Sequence, residues 1–471
     1  MYKGDMLFQS LLKYDFNLYR SELDVPSYLE DHFNKYIQDI EEAAAGSNPF
    51  LGSDFCSRVL DNISVIQCIC DGIVEIAHIN RNGRIKDAYE NAYTLFASME
   101  PYYLERFSWA GRDGDYYRIR SGDFRIKPGE DSKKKKAKMF HIKDSKRNLI
   151  GAYRFSIPGF PCLYLTSGFE LGWFESGMPK MFSYCRMHIE ESGENALRLI
   201  DISNRPVDLL SDIYVWILNA KEDLNKQQNI KEYLLNYIIT YPLAAACSIK
   251  VKDRGDRFVE EYVIPQMFMN WIRENGGYDG IRYKSSLNTT LVQGMGAVNI
   301  ALPVKKFRDD GLCESLTSKI AVSDIAYLDV NEDFKKYQQH LHDINDYKNE
   351  LWMKMVSDTY YCGYKLKLVD ICENVYMTYN SIINGNNLNE VLLHQIECLA
   401  DYIYMFHEYK DSIIKRNIEE VKRMYPTIDE TKLQNEISVD IDRFYALVTK
   451  VILKHAVFGF SKEALNNFEK I

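Results

Sequence analysis

GAYRFSIPGFPCLYLTSGFELGWFESG, Gly151 to Gly177, decides how the middle of this chain folds. Arg154 stands in the β-rich run NLIGAYRFSI, which Pro158, Gly159 and Pro161 then force into a turn. CLYLTS re-enters a strand whose alternation puts Cys162, Tyr164 and Thr166 on one face and Leu163 and Leu165 on the other. Ser167 is followed three residues later by Glu170, the spacing of a capping box, which predicts a short helix from there that stops before Gly177 and Pro179. Glu175 therefore falls on the last helical turn, where the macrodipole costs a carboxylate about 0.3–1 kcal/mol, so something else must favour it. Trp173, four residues after Phe169, reads as the anchor of this helix to the core. An arginine, a strand tyrosine and a carboxylate thus meet within 22 residues, as one wall of an active site.

Outward from this stretch the texture is mixed. MFSYCRMHI and LRLIDIS read as strands, DLLSDIYVWILNA and EYLLNYIITYPLAAACS as helices. EYVIPQMFMNWIREN is a third helix, with Pro265 tolerated in its first turn and Gly276 and Gly277 at its end. The turn Asp279-Gly280 opens the strand IRYKSS, whose alternation places Ile281, Tyr283 and Ser285 on one face and Arg282, Lys284 and Ser286 on the other; AVNIALPV is a further strand. Strands and helices without regular βαβ alternation predict an α+β fold. Residues before about 110 and after 306 read as helical, through patterns such as YLEDHFNKYIQDIEEAAAG, VLDNISVIQCICDGIVEIAHIN and CLADYIYMFHEYKDSIIKRNIEEVKRMY. The expected division is a helical region 1–109, a catalytic domain 110–305 and a helical region 306–471. GEDSKKKKAK, Gly129 to Lys138, reads as a solvated loop.

The bulk numbers exclude several classes. At ~150 residues per domain, 471 residues suggest about three domains. With 46% hydrophobic and 27% charged residues the chain reads as globular and soluble, and a net charge of -9 argues against a general nucleic-acid binder. Ten cysteines without a CxxC pair read as reduced thiols, and His340 and His342, two apart on a helix, point away from each other, so no metal site is expected. The charged N-terminus predicts no signal peptide, and no apolar run approaches ~18 residues, so a cytoplasmic protein without a membrane span is expected.

YYRIR around Arg118, YRFSIPGFPCLYL from Arg154 past Tyr164, WFESG around Glu175 and EYVIPQMFMNWIRENGGYDGIRYKSS, in that order between Asp115 and Val304, resemble the RES domain, named for its arginine, glutamate and serine. The resemblance implies a fold similar to ADP-ribosyltransferase toxins and a bacterial toxin or defence enzyme that consumes NAD, by phosphorolysis or hydrolysis. It implies NAD as substrate rather than cofactor, inorganic phosphate as a co-substrate of the phosphorolytic form, and an inhibitory antitoxin or other regulatory partner. The alternatives are an ADP-ribosyltransferase acting on a protein target and a non-catalytic nucleotide-binding interaction protein. A homodimer is the default closed assembly.

Cleaving the nicotinamide-ribose bond needs little acid-base machinery, because nicotinamide leaves a cationic pyridinium as a neutral molecule. One carboxylate can stabilise the ribosyl cation while arginines neutralise the pyrophosphate. By the resemblance, Glu175 is that carboxylate, Arg154 and Ser285 complete the catalytic set with Ser286 one position away, and Arg118, Tyr164, Tyr283 and Arg282 bind substrate. Arg120 and Arg125 rival Arg118, and Arg282 and Tyr283 are read equally well as strand supports. Gly294 and Gly296 form a GxG that lacks a third glycine and reads as a loop.

Overall fold

The computed structural model describes residues 4–16, 18–105, 114–131, 134–190, 196–220, 223–252, 256–286, 298–330, 338–357, 363–384 and 409–448, with four isolated positions between 395 and 406. Gly294 and Gly296 and most of the segment 398–408 lie outside these residues. Five helices come first: α1 (Met6–Leu11), α2 (Val25–Ala45), α3 (Ser53–Asp61), α4 (Ile63–Arg81) and α5 (Ile85–Ser98). The central part follows as β1 (Asp115–Ser121), α6 (Lys134–Met139), β2 (Cys162–Thr166), α7 (Phe169–Glu175), β3 (Met181–Ile189), β4 (Leu199–Ile202), α8 (Pro206–Asn219), α9 (Leu224–Ala246), α10 (Val263–Glu274), β5 (Gly280–Lys284) and β6 (Val298–Pro303). Then come α11 (Glu314–Lys319), β7 (Ile320–Val322), β8 (Ala326–Asp329), α12 (Gln338–Ser357), α13 (Gly363–Ile383), α14 (Lys410–Met424) and α15 (Glu430–Val448).

The architecture is α+β. One mixed sheet runs β4-β5-β6-β2-β1-β3-β7, with β8 also on β3. Only β4 and β5 pair in parallel; the other ladders are antiparallel. The ladder is uneven. β1 and β3 pair over seven residues, whereas β1 meets β2 at the single pair Tyr117↔Thr166, so the sheet is almost split between those strands. One face, carrying Leu163, Leu165, Ile300 and Leu302, packs on Met139, Phe140 and Leu316. The other carries Ile281 and Ala301 against α8, α9 and α10. The end formed by β1, β3 and β8 packs α7 against α12, α13 and α15.

The N-terminal helices share the core of the central part. Leu29, Phe33, Tyr36, Ile66, Ile73 and Phe96 belong to the same continuous apolar cluster as Ile238, Phe268, Ile281 and Ala301. Polar bonds follow the seam: Tyr36 Oη donates to the Ile238 carbonyl at 2.8 Å, and Arg20 Nε meets Glu261 Oε1 at 2.7 Å. By length and composition α4 is apolar enough to cross a membrane, which the sequence reading does not expect; here its Ile66, Ile69, Ile73 and Ile76 are buried in that cluster. The sheet also crosses the expected boundary at 305. β7 and β8 lie beyond it and pair with β3; strands of three and four residues carry too little alternation to be seen in sequence.

Three further expectations need correction. NLIGAYRFSI is not a strand: Asp144–Leu149 form a 3₁₀ turn, and Arg154 sits in a tight reversal closed by Tyr153 N to Ser156 O at 2.9 Å and Ser156 N to Tyr153 O at 3.1 Å. Apolar content alone suggests β structure, but the Tyr153–Ser156 pair closes the backbone on itself instead of leaving it to a ladder. The lysine run is not wholly a solvated loop, since α6 folds from it once Lys136 Nζ reaches the Thr317 carbonyl at 2.6 Å and Lys138 Nζ the Arg125 carbonyl at 2.9 Å. VLDNISVIQCICDGIVEIAHIN is two helices, parted at Asn62.

His32 on α2 lies between Tyr14, Tyr28 and Tyr241, with its Nε2 2.9 Å from Tyr241 Oη. Burial, aided by Lys35, pushes its pKa from 6.5 down to about 4. The unfolded chain therefore takes up a proton that the folded one refuses as pH falls from 6.5 towards 4, and stability is lost across that window. The loss is up to about 3 kcal/mol. Urea denaturation at pH 7 and pH 4.5 is expected to show a drop that His32→Gln reduces; an unchanged drop would place its origin in other groups.

Candidate functional site

Close packing sets Glu175 where it is. α7 lies across the junction of β1 and β2, and a Cβ added at Gly172 would stand 2.8 Å from Thr166 Oγ1 and 3.1 Å from Ile119 Cδ1, so only glycine lets the helix approach this closely. Phe169, Leu171, Trp173 and Phe174 are buried, and Trp173 Nε1 donates to the Pro179 carbonyl at 3.0 Å, fixing the helix against the core as its spacing predicts. The N-cap is Gly168 without a side-chain cap, not a Ser167 capping box. Ser167 is instead held by β6: its N donates to the Val298 carbonyl at 2.8 Å, and its Oγ accepts from Val298 N at 3.2 Å. That pairing diverts the hydroxyl from the helix.

Glu175 ends α7 and faces the ends of β5 and β6. Ser285 Oγ donates to Glu175 Oε1 at 2.5 Å, and Asn299 Nδ2 donates to the same oxygen at 2.9 Å. Hydrogen bonds to a charged group contribute about 1.5–3 kcal/mol each, which outweighs the helix-dipole cost of about 0.3–1 kcal/mol. Both donors converge on Oε1. Among the described residues none hydrogen-bonds Oε2, and the side chain is exposed.

Arg154 is buried, at 9% exposure, and its guanidinium spans three groups. Nη1 donates to the Cys247 carbonyl at 3.0 Å, and Nη2 to the Ile249 carbonyl at 2.9 Å and to Ser286 Oγ at 3.2 Å. Its Cζ stands 5.3 Å from the Tyr262 ring. The neighbouring serines thus divide the work, Ser285 on the carboxylate and Ser286 on the arginine. Burial lowers the Arg154 pKa, offset by the surrounding Tyr262, Cys247, Tyr283 and Glu175. No described carboxylate lies within ion-pair distance of it. Arg154→Lys is expected to cost about 1–3 kcal/mol for each carbonyl left unsatisfied, read from chemical denaturation. A variant as stable as the parent would show that the guanidinium does not hold this segment.

Arg118 enters the split between β1 and β2. Its Nη1 donates to the Tyr164 carbonyl at 3.2 Å, while its Nε is shut off from solvent without a partner among the described residues. Burial, with Arg120 adding repulsion, pulls its pKa down to about 10. No contact joins it directly to Arg154, Glu175 or Ser285. Of its rivals, Arg120 lies over the Phe124 ring at 4.4 Å and Arg125 is paired to Asp123 at 2.8 Å on the surface.

Tyr164 and Tyr283 line the face that carries Asn299. Tyr164 Oη shares a hydrogen bond of 2.7 Å with Ser156 Oγ, tying the strand to the Arg154 turn, and Tyr283 packs against Phe155 at 4.6 Å between ring centroids. Burial keeps both phenols protonated by raising their pKa values, Glu175 adding to the effect at Tyr283. Arg282 points elsewhere. Strand alternation turns it to the opposite face, where it bonds Tyr116 Oη and stands 3.9 Å from Asp201, so it supports the sheet away from Glu175. Sequence reasoning missed Asn299, Ser156 and Tyr262. The signal for Asn299 was present, as the one polar residue inside AVNIALPV. Among the described residues no cluster of metal-ligating side chains occurs, and the eight described cysteines are unpaired.

No family model matches the chain, and no solved structure matches it. It is 29% identical over 313 residues, 64% of its length, to a Bacillus subtilis (strain 168) protein named "Putative toxin YopC". The chain spans 65% of the length of that relative.

Proposed function

We propose that this chain is an NAD-consuming enzyme with a RES-like catalytic centre, acting as a toxin or defence protein. The observation that carries the reading is the exposed carboxylate of Glu175, gripped at one oxygen by Ser285 and Asn299, near the buried Arg154 that no described carboxylate neutralises. Buried cations ordinarily have counter-charges, and the pyrophosphate of NAD supplies one. The RES resemblance of the arginine, glutamate and serine motifs supports the same substrate, and the name of the Bacillus relative supports the toxin reading.

In this mechanism Arg154 and Arg118 draw in the phosphates, and Tyr164 and Tyr283 supply aromatic surface and hydroxyls for the nicotinamide riboside end. The bond between C1′ of the ribose and the pyridinium nitrogen breaks, and its electron pair neutralises the departing nicotinamide. Glu175 Oε2 stabilises the positive charge that builds on the ribose, a preorganised electrostatic role. An oxygen of water or inorganic phosphate then bonds to C1′ and its proton passes to solvent. Ser285 acts by holding the carboxylate; a nucleophilic serine would need a base, and its hydroxyl is instead spent on Glu175. Incubating the full-length protein with NAD and following free nicotinamide tests the proposal, and adding inorganic phosphate or a protein extract identifies the acceptor.

A further inference from the structure

Asn299 has a second polar atom that the site described so far does not use. The residue is 2% exposed, its amide nitrogen holds Glu175, and its Oδ1 is buried with no hydrogen-bond partner among the described residues. The orientation of the amide follows from chemistry: a carboxylate oxygen at 2.9 Å can only be met by the NH₂, which puts the carbonyl oxygen on the other side. Strand register places Asn299 opposite Tyr283 and next to Thr166 of β2, on the face that Tyr164 lines. An unsatisfied buried acceptor is disfavoured until a donor fills it.

We infer that Asn299 is a specificity-determining residue of this site, whose Oδ1 accepts a hydrogen bond from an N–H or O–H of the ligand while its Nδ2 positions Glu175. The inference rests on the NAD reading and adds to it the polarity of the group that is recognised. A ligand offering a neutral donor there is accepted. One offering an anion meets both the amide oxygen and the Glu175 carboxylate and is rejected. The carboxamide and the ribose hydroxyls of NAD are both donors of the required kind.

A double-mutant cycle on NAD affinity, measured by calorimetry with the full chain, separates this role from mere support of Glu175. If Oδ1 touches the ligand, Asn299→Ala weakens NAD binding by about three- to tenfold even in a Glu175→Ala background, where no side-chain oxygen is left for Nδ2 to hold. Asn299→Asp in the same background keeps an acceptor at that position and retains binding within about threefold, guarding against a fold defect in the alanine variant. If Asn299→Ala costs nothing in the Glu175→Ala background, while the parent binds NAD, Asn299 acts only through Glu175 and the inference is overturned alone. A parent chain that binds no NAD overturns the inference together with the reading beneath it.

Discussion

Glu175→Gln is expected to lower NAD consumption by about 10²- to 10³-fold, the usual consequence of removing one preorganised electrostatic partner of a developing charge. The substitution keeps volume and still allows a hydrogen bond from Ser285 and from Asn299, because the amide oxygen can take the place of Oε1. What it removes is negative charge facing the ribose. The side chain is exposed, and the anchoring of α7 comes from Phe169, Leu171, Trp173 and Phe174, so the melting temperature should stay within a few degrees of the parent. Loss of turnover with an intact melt assigns the role to the charge. Full turnover by a folded variant would remove Glu175 from the mechanism.

The second large effect concerns the N-terminal helices. The sequence leaves open whether their apolar stripes are buried against the central part or across a subunit interface, and the structure buries them in the core that α9, α10 and the sheet also use. A fragment of residues 110–305 would expose Ile238, Ile239, Tyr241 and Phe268, all now at most 1% exposed, together with the orphaned carboxylates of Glu260 and Glu261 that Arg81 and Arg20 now pair. It would also lose β7 and β8 from β3. An apolar patch larger than about 300–600 Å² is not tolerated on a stable monomer, so the fragment is expected to aggregate or to lack cooperative unfolding. Circular dichroism melts and light scattering check this. A soluble fragment with a sharp transition would show that the shared core is dispensable.

How much was legible in the sequence follows from the range of the interactions involved. CLYLTS, MFSYCRMHI and AVNIALPV announce strands because alternation is local, and EYVIPQMFMNWIREN announces its helix, Pro265 included, for the same reason. The pairing of Glu175 with Ser285 spans 110 positions, and no local rule yields it; the ordered RES-like motifs suggested the two residues but not their hydrogen bond. Arg154 shows the opposite failure. Its run looks like a strand, yet its guanidinium is bound to two carbonyls beyond the end of α9, contacts that only the assembled fold creates. The spacing to Glu170 reads Ser167 as a cap, but its hydroxyl accepts from the β6 backbone instead. Arg282 is a case where alternation itself decides: the periodicity already placed it on the face away from Tyr283, and the structure finds it with Tyr116 and Asp201.

The proposed reaction breaks the nicotinamide-ribose bond of NAD. Purified full-length protein should be incubated with NAD, with and without inorganic phosphate, and the products separated by chromatography. Free nicotinamide is expected to appear in step with the loss of NAD, accompanied by ADP-ribose, its 1″-phosphate or a modified protein, and Glu175→Gln is expected to suppress it. Intact NAD and no nicotinamide after prolonged incubation with the folded parent, under every acceptor condition, would contradict it.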